Sequence, residues 1–429
     1  MDNLFKLIIL LVIIYGCEPI PNQSTQVEKK VVYDNHNYES MVGMVQLYPF
    51  EDGNPSVLEY PVVTLGERQQ LFLQFDLLTD QFEYLAAKVY HCNWNWKKSP
   101  LRDMEFLREI NTFRITEFDY SLNTTTPYIQ YRLIIPKPFI SGNYLVTVHR
   151  RGAPGDILLT RKFSVIENTS IIDQQVRVST TVSKRELNQQ IDFSINYGNL
   201  QVNNPTNDIK IVLMQNHQWD RAITNLRPTL IRPNDNFMEF RLMDLSTNFS
   251  GGNEFRFVDL RTLNATGRNV SKINTTSSGI EVYSGVDTSR GNLPYTQNFQ
   301  DINGNFILSN TDLGEVPLNA DYANTRFTLK APKTDGKVYV MGRFNDWKLE
   351  DENIMRYNPS TLSYETSILL KQGYYEYLYY VDSPTKPGYY FEGSHFLTEN
   401  NYEIFVYYRR PGNVNDQLVG YKKFSSLPL

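Results

Sequence analysis

Few residues in this sequence are of a type and spacing that could do chemistry. His91 and Cys92 are its one adjacent Cys/His pair, the raw material for a thiol nucleophile with an imidazole base. On a strand, neighbouring side chains point to opposite faces, so these two are not placed to exchange a proton. Cys92 therefore reads as a buried apolar residue. His36, His149, His217 and His395 are scattered without metal-ligand spacing, and no Cys-x-x-Cys or His-Glu-x-x-His occurs. Asp301-Ile302-Asn303-Gly304-Asn305 has the opening of a calcium loop without its later ligands, and reads as an Asn-Gly turn. A carboxylate pair for glycoside cleavage need only meet in space, but nothing singles out two of the 47 acidic residues. The expectation is a non-enzymatic chain with no catalytic residue, cofactor, metal or small-molecule substrate.

The elements that carry these residues read as strands. Tyr (29) and Phe (24) are abundant, which favours strands over helices. The length of 429 residues suggests about three domains. A net charge of −5 leaves no basic footprint for nucleic acid. Seven runs fall between 41 and 166: Met41–Leu47, Val57–Val63, Gln70–Leu77, Ala86–Trp94, Tyr128–Ile135, Gly142–His149 and Leu158–Val165. That pattern predicts an immunoglobulin-like sandwich. Residues 99–112 predict a short helix capped by Ser99. A second sandwich is expected over 167–305, with long polar loops between 244 and 304. A third is expected over 306–429, with Asp335-Gly336 as a hairpin turn. Alternation from Val89 to Trp96 predicts Tyr90, Cys92, Trp94 and Trp96 on the inner face, and His91, Asn93 and Asn95 on a polar outer one.

The first 17 residues read as a signal peptide: Lys6, then an apolar run from Leu7 to Tyr15 too short to span a bilayer. Ile14-Tyr15-Gly16-Cys17 resembles a bacterial lipobox, which implies lipidation at Cys17 and a membrane anchor of several acyl chains. Glu18 after the cysteine leans toward the outer membrane, by resemblance to lipoprotein sorting. Residues 18–40 then read as a polar, Pro-bearing tether.

A wider resemblance runs through His91-Cys92-Asn93 and Trp96, then Leu101, Glu105 and Phe106, then Phe118 to Thr124 including Asn123. It continues through Pro127-Tyr128, Tyr131 and Ser141-Gly142-Asn143-Tyr144, and upstream to Val45-Gln46-Leu47 and Leu71 to Asp76. In that order these residues resemble the N-terminal domain of the plug proteins of the Bacteroidota type IX secretion system. Asn95 stands where that family is expected to have an acidic residue, so any role of that acid does not carry over. The resemblance implies a plug that closes the periplasmic entrance of a large outer-membrane β-barrel translocon. It also implies a periplasmic location, which with the lipidated Cys17 means anchoring to the outer membrane. These residues would be structural or at an interface.

Further on, Val340 to Trp347 and Gly373 to Asp382 resemble the early-set immunoglobulin-like modules, among them starch- and glycogen-binding modules. That implies an alternative, a glycan-binding lipoprotein in which Trp347 stacks on a sugar with Tyr389 or Tyr390 in support. The expected fold class is all-β, with tandem immunoglobulin-like and early-set β-sandwich domains.

Overall fold

A computed structural model describes residues 28–277, 279–297, 300–312 and 317–426. The signal peptide, Cys17 and the first part of the expected tether lie outside the described residues. The protein is all-β, with helix confined to single turns.

The first unit is a sandwich of two sheets. One contains His36–Asn37, Ile157–Ile166, Gly142–Arg150, Leu85–Cys92 and Phe113–Ile115 in that order, with Val62–Thr64 paired in parallel to Ile157–Ile166. The other runs Asn54–Pro55, Val42–Glu51, Gln70–Leu77, Ile129–Ile135, Glu117–Tyr120. Alternate residues of both meet in one apolar core: Leu71, Leu73, Phe75 and Leu77 face Leu85, Ala87, Val89, Val146 and Val148. Residues 28–40 belong to this sandwich. Lys29 N donates to Gly155 O at 2.9 Å, and His36–Asn37 pairs with Leu159–Thr160. The tether expected over 18–40 is thus structured from 28 onward.

Two local expectations change. Val89 lies in the core and His91 is buried beside Tyr144, so the inner face is the Val89/His91 one, while Tyr90 is only half-buried. Cys92 is buried as well, because other parts of the molecule cover the outer face; alternation cannot rank two covered faces. The helix expected over 99–112 is a single 3-10 turn, Asp103–Glu105, whose entry is tied by Arg102 N donating to Glu105 Oε2 at 2.8 Å.

The second unit is also a sandwich, but its strands come from two distant stretches. Ile171–Val178, Asn188–Asn196, Phe237–Phe240, Leu230–Arg232 and Asn248–Ser250 form one sheet. Ile209–Gln215 forms the other with Asn401–Tyr408 and Gln417–Ser425. These last two strands follow residue 305, so the expected boundary between a middle and a C-terminal domain does not match the pairing. Residues 254–398 are an insertion into the second sandwich. The insertion is a nine-stranded sheet that bends around a core containing Val258, Val282, Phe327, Val340, Tyr375, Tyr377 and Tyr379.

The polar stretch 244–304, expected to carry long loops around one strand at Glu254–Asp259, contributes four strands. Val270–Thr276 and Gly279–Thr288 form an edge hairpin paired in parallel to Tyr322–Lys330. Its alternate residues face solvent, which explains a composition that looks like loop. Asp335-Gly336 does not close a hairpin, because Tyr322–Lys330 pairs with Ser363–Lys371 and Lys337–Met341 with Gly373–Asp382.

Candidate functional site: two interdomain seams and the surfaces they fix

The strands at the centre of the molecule read as continuous apolar runs because both faces are covered. In Ile209–Gln215 and Asn401–Tyr408, Ile211, Leu213, Ile404 and Val406 face the second sandwich's own core. Val212, Met214, Phe405 and Tyr407 face the other way, onto Ile166, Val62 and Trp94 of the first sandwich. This is the first seam.

Polar groups complete it. Asn143, fully buried, accepts through Oδ1 from Ser164 Oγ and from Tyr407 OH, each at 3.0 Å. Asp416 N donates to Asn93 Oδ1 at 3.1 Å, and Trp94 N donates to Asp416 Oδ2 at 3.1 Å. Trp96, held at φ 60°, meets Trp219 edge-on at 4.9 Å. Lys162 Nζ lies over both rings, at 4.7 and 5.0 Å, and pairs with Asp34 at 2.8 Å. Asp34 also pairs with Lys348 of the insertion at 2.6 Å. Burial would raise the Asp34 pKa, but the two lysines hold it below the usual carboxylate value.

The second seam joins the first sandwich to the insertion around a buried ion pair. Lys371 Nζ and Asp76 Oδ2 are 2.7 Å apart, with their side chains 1% and 2% exposed. Tyr322 OH donates to the same oxygen at 2.6 Å and Gln130 Nε2 to Oδ1 at 3.2 Å. Lys371 also lies over the Tyr128 ring at 3.9 Å, where the ring face offsets lost hydration. Burial pulls the Lys371 pKa down, and Asp76 opposes it. Gly43 is required here: a Cβ at that position would lie 2.6 Å from Tyr322 Oη. Further out, Thr126 N donates to Asp321 Oδ1 at 3.0 Å and Leu122 N to Leu318 O at 2.9 Å.

The residues carrying the family resemblance divide between these seams and the first core. Asn93, Trp96 and Ser141–Asn143 lie along the first seam; Tyr128 lies on the second. Tyr144 and Tyr131 are core residues whose hydroxyls donate to Ile140 O at 2.8 Å and Glu83 O at 3.1 Å. His91 is packed against Tyr144 and close under Gly142, where a Cβ would meet its Nε2 at 2.5 Å. Burial pushes its pKa down to about 4. Burial pushes the Cys92 thiol up to about 12, the opposite of what a nucleophile needs. Asn123 is an exposed turn residue at φ 56°.

Trp347, the expected sugar platform, is 4% exposed and packed with Phe255, Met341 and Leu378. A stacking platform must present a free ring face, and this ring has none. Tyr389 joins the same cluster, while Tyr390 is partly exposed beneath Lys386. The outer face of the Tyr-rich strand Gly373–Asp382 is likewise covered: Leu378 is buried, and Arg221 of the second sandwich lies 4.2 Å from the Tyr380 ring. Among the described residues, no group of three His, Cys, Asp or Glu side chains is arranged to hold a metal ion. Lys371, Asp34 and Asp416 escaped sequence reasoning, and Asp76 entered it only as the end of a family-like stretch, not as half of an ion pair. Their partners are far along the chain, 295 residues for Lys371 and Asp76, and no local pattern marks them.

Comparison with known proteins bears on the region that supplies one side of both seams. Residues 42–167 match the family described as the type 9 secretion system plug protein 1st domain. The chain carries the first domain of the type IX secretion plug proteins. A solved structure described as a hypothetical protein from Parabacteroides merdae ATCC 43184 is similar over nearly the whole chain. It is 30% identical, aligns over 92% of this chain and 100% of its own, and has a TM-score of 0.85. The matched plug domain is therefore the first sandwich, and the relative extends the likeness to the second sandwich and its insertion. No curated protein matches.

Proposed function

We propose that this protein is a non-enzymatic plug, lipid-anchored through Cys17, that closes the periplasmic entrance of the type IX translocon barrel while no substrate occupies it. The carrying observation is the plug-family domain at 42–167, tied by two buried seams into one block with the rest of the described chain. A wide barrel leaks unless something fills its mouth, and filling it calls for a broad rigid surface rather than chemistry. The seams provide rigidity: three β units that could otherwise hinge on linkers share buried polar contacts and apolar faces. The candidate contact surface includes the 95–127 stretch, where Met104 and Ile110 are 74% and 86% exposed. It also includes the insertion, where Val286 and Leu293 are open to solvent.

The test is affinity capture of a C-terminally tagged chain from detergent-solubilised outer membrane, with proteins identified by mass spectrometry. Recovery of one very large barrel protein is expected, and deletion of the chain should admit large solutes across the outer membrane. Deleting 244–300 would remove strands of the insertion, so contacts are better probed by Met104→Asp and Ile110→Asp. Either substitution should weaken capture with an unchanged melting temperature. Capture without any barrel protein would overturn the reading.

A further inference from the structure

Carboxylic acids gather where the chain crosses between the second sandwich and its insertion. Glu254 lies on the outgoing crossing, Glu399 on the returning one, and Asp301 opens a turn packed against both. The turn is organised by main-chain donors: Phe255 N donates to Asp301 Oδ2 at 2.6 Å and Asn303 N to Asp301 Oδ1 at 3.0 Å. Asn303 (φ 56°) and Gly304 (φ 73°) are both left-handed, which folds the turn back on itself. Asn303 Nδ2 then donates to Glu399 Oε2 at 2.7 Å. Glu399 N and Tyr295 OH reach Glu254 Oε1, at 3.4 and 2.5 Å.

Two oxygens are left over. Glu254 Oε2 and Asn303 Oδ1 are buried and have no hydrogen-bond partner. Glu254, Asp301 and Asn303 are 4%, 6% and 5% exposed. The nearby Arg290 commits its side chain to Glu392 and to the main-chain oxygen of Glu254, not to the Glu254 carboxylate. The Glu254 and Asp301 carboxyl groups lie within hydrogen-bond reach of each other, so that both ionised they would repel. From the other side, Glu376 accepts from Ile302 N at 2.8 Å and Gly304 N at 3.0 Å and so shapes the turn.

Buried carboxylates that lack a cationic side chain must either keep a proton or hold a cation. This donor set is all oxygen, two carboxylates and an amide carbonyl, which selects a hard cation over zinc or copper. The ligands come from a crossing segment and a turn rather than from one stiff element. That suits calcium, which accepts irregular coordination, better than magnesium. We propose that Glu254, Asp301 and Asn303 form a calcium site at the junction of the second sandwich and its insertion, with solvent completing the shell. Bound there, the ion would pin the outgoing crossing to the turn and fix how the insertion is carried.

The test uses the full mature chain, stripped with EDTA and dialysed at neutral pH. Calcium at about a hundredfold over its dissociation constant should raise the melting temperature by roughly 3 °C, with magnesium doing less. Equilibrium dialysis with radioactive calcium should find one ion in the wild type and none in Glu254→Gln or Asn303→Ala. Glu254→Gln should melt no lower than wild type in EDTA, because it removes one of two like charges, and should lose the calcium response. If the folded wild type binds no calcium at millimolar concentration, the acids share a proton instead and the site is overturned. An undiminished response in Glu254→Gln would overturn it as well.

Discussion

The two seams that hold the first sandwich are built from opposite materials. Toward the insertion the contact centres on a fully buried charge pair, Asp76 and Lys371, wrapped by Tyr128, Tyr322 and Gln130. Toward the second sandwich the centre is neutral: Asn143 with Tyr407 and Ser164, over a layer of Val212, Met214 and Phe405. Charges there flank that centre and are each paired, Asp416 with Arg409, Glu403 with His217, and Asp34 with Lys162 and Lys348. A buried ion pair adds little net stability over an apolar contact, yet losing one partner is severe. A neutral seam spreads its strength over many small contacts and degrades gradually. The charged seam therefore specifies one alignment of the insertion, and the neutral seam supplies adhesion.

The sharpest break of that contrast is Lys371→Met, which strands the Asp76 carboxylate. It should cost about 3–5 kcal/mol in urea unfolding, and Asp76→Asn in the same chain should restore most of the loss. If the single change is mild, the pair does not dominate its seam. Trp96→Ala at the neutral seam should cost roughly 2 kcal/mol, through the lost Trp219 contact and the uncovered Lys162, measured by the same denaturation.

Asp34→Asn should cost about 1 kcal/mol at neutral pH, since the cluster is partly exposed. The sign of its pH dependence follows from its folded pKa lying below the unfolded value. The contribution is fully present above about pH 4 and is lost as pH falls through the folded value. The difference between wild type and variant should therefore close in acid, which a series of melts across pH would show. Tyr407→Phe is the smallest effect, about 0.5–1 kcal/mol, because Ser164 still donates to Asn143 Oδ1. A cost as large as that of Lys371→Met would erase the distinction between the seams.

Six of the seven runs expected in the first sandwich are strands, whereas Val57–Val63 is one only from Val62 and the strands Phe113–Ile115 and Glu117–Tyr120 went unread. Gln70–Leu77 matches the expected run residue for residue, because there one face is core and the turns carry Gly, Asn and Asp. His91 and Trp96 could be picked out as belonging to a family pattern, but not as a core residue and a seam residue. Trp347 illustrates the same limit: its neighbours in sequence fit a sugar-binding place, while Phe255, 92 positions earlier, helps cover its ring.

What the sequence determined by itself was the β class, the order of most strands and the family of the first sandwich. All of these depend on local alternation, turn chemistry and residues held in order along one stretch. Only the tertiary structure decided that Asn401–Tyr408 completes a sheet begun at Ile209–Gln215, and that Asp76 meets Lys371. It alone decided that Glu254, Asp301 and Asn303 converge. Those contacts join residues about 45 to almost 300 positions apart, and their stability comes from shared burial and paired polar groups, which leave no periodic trace in the chain.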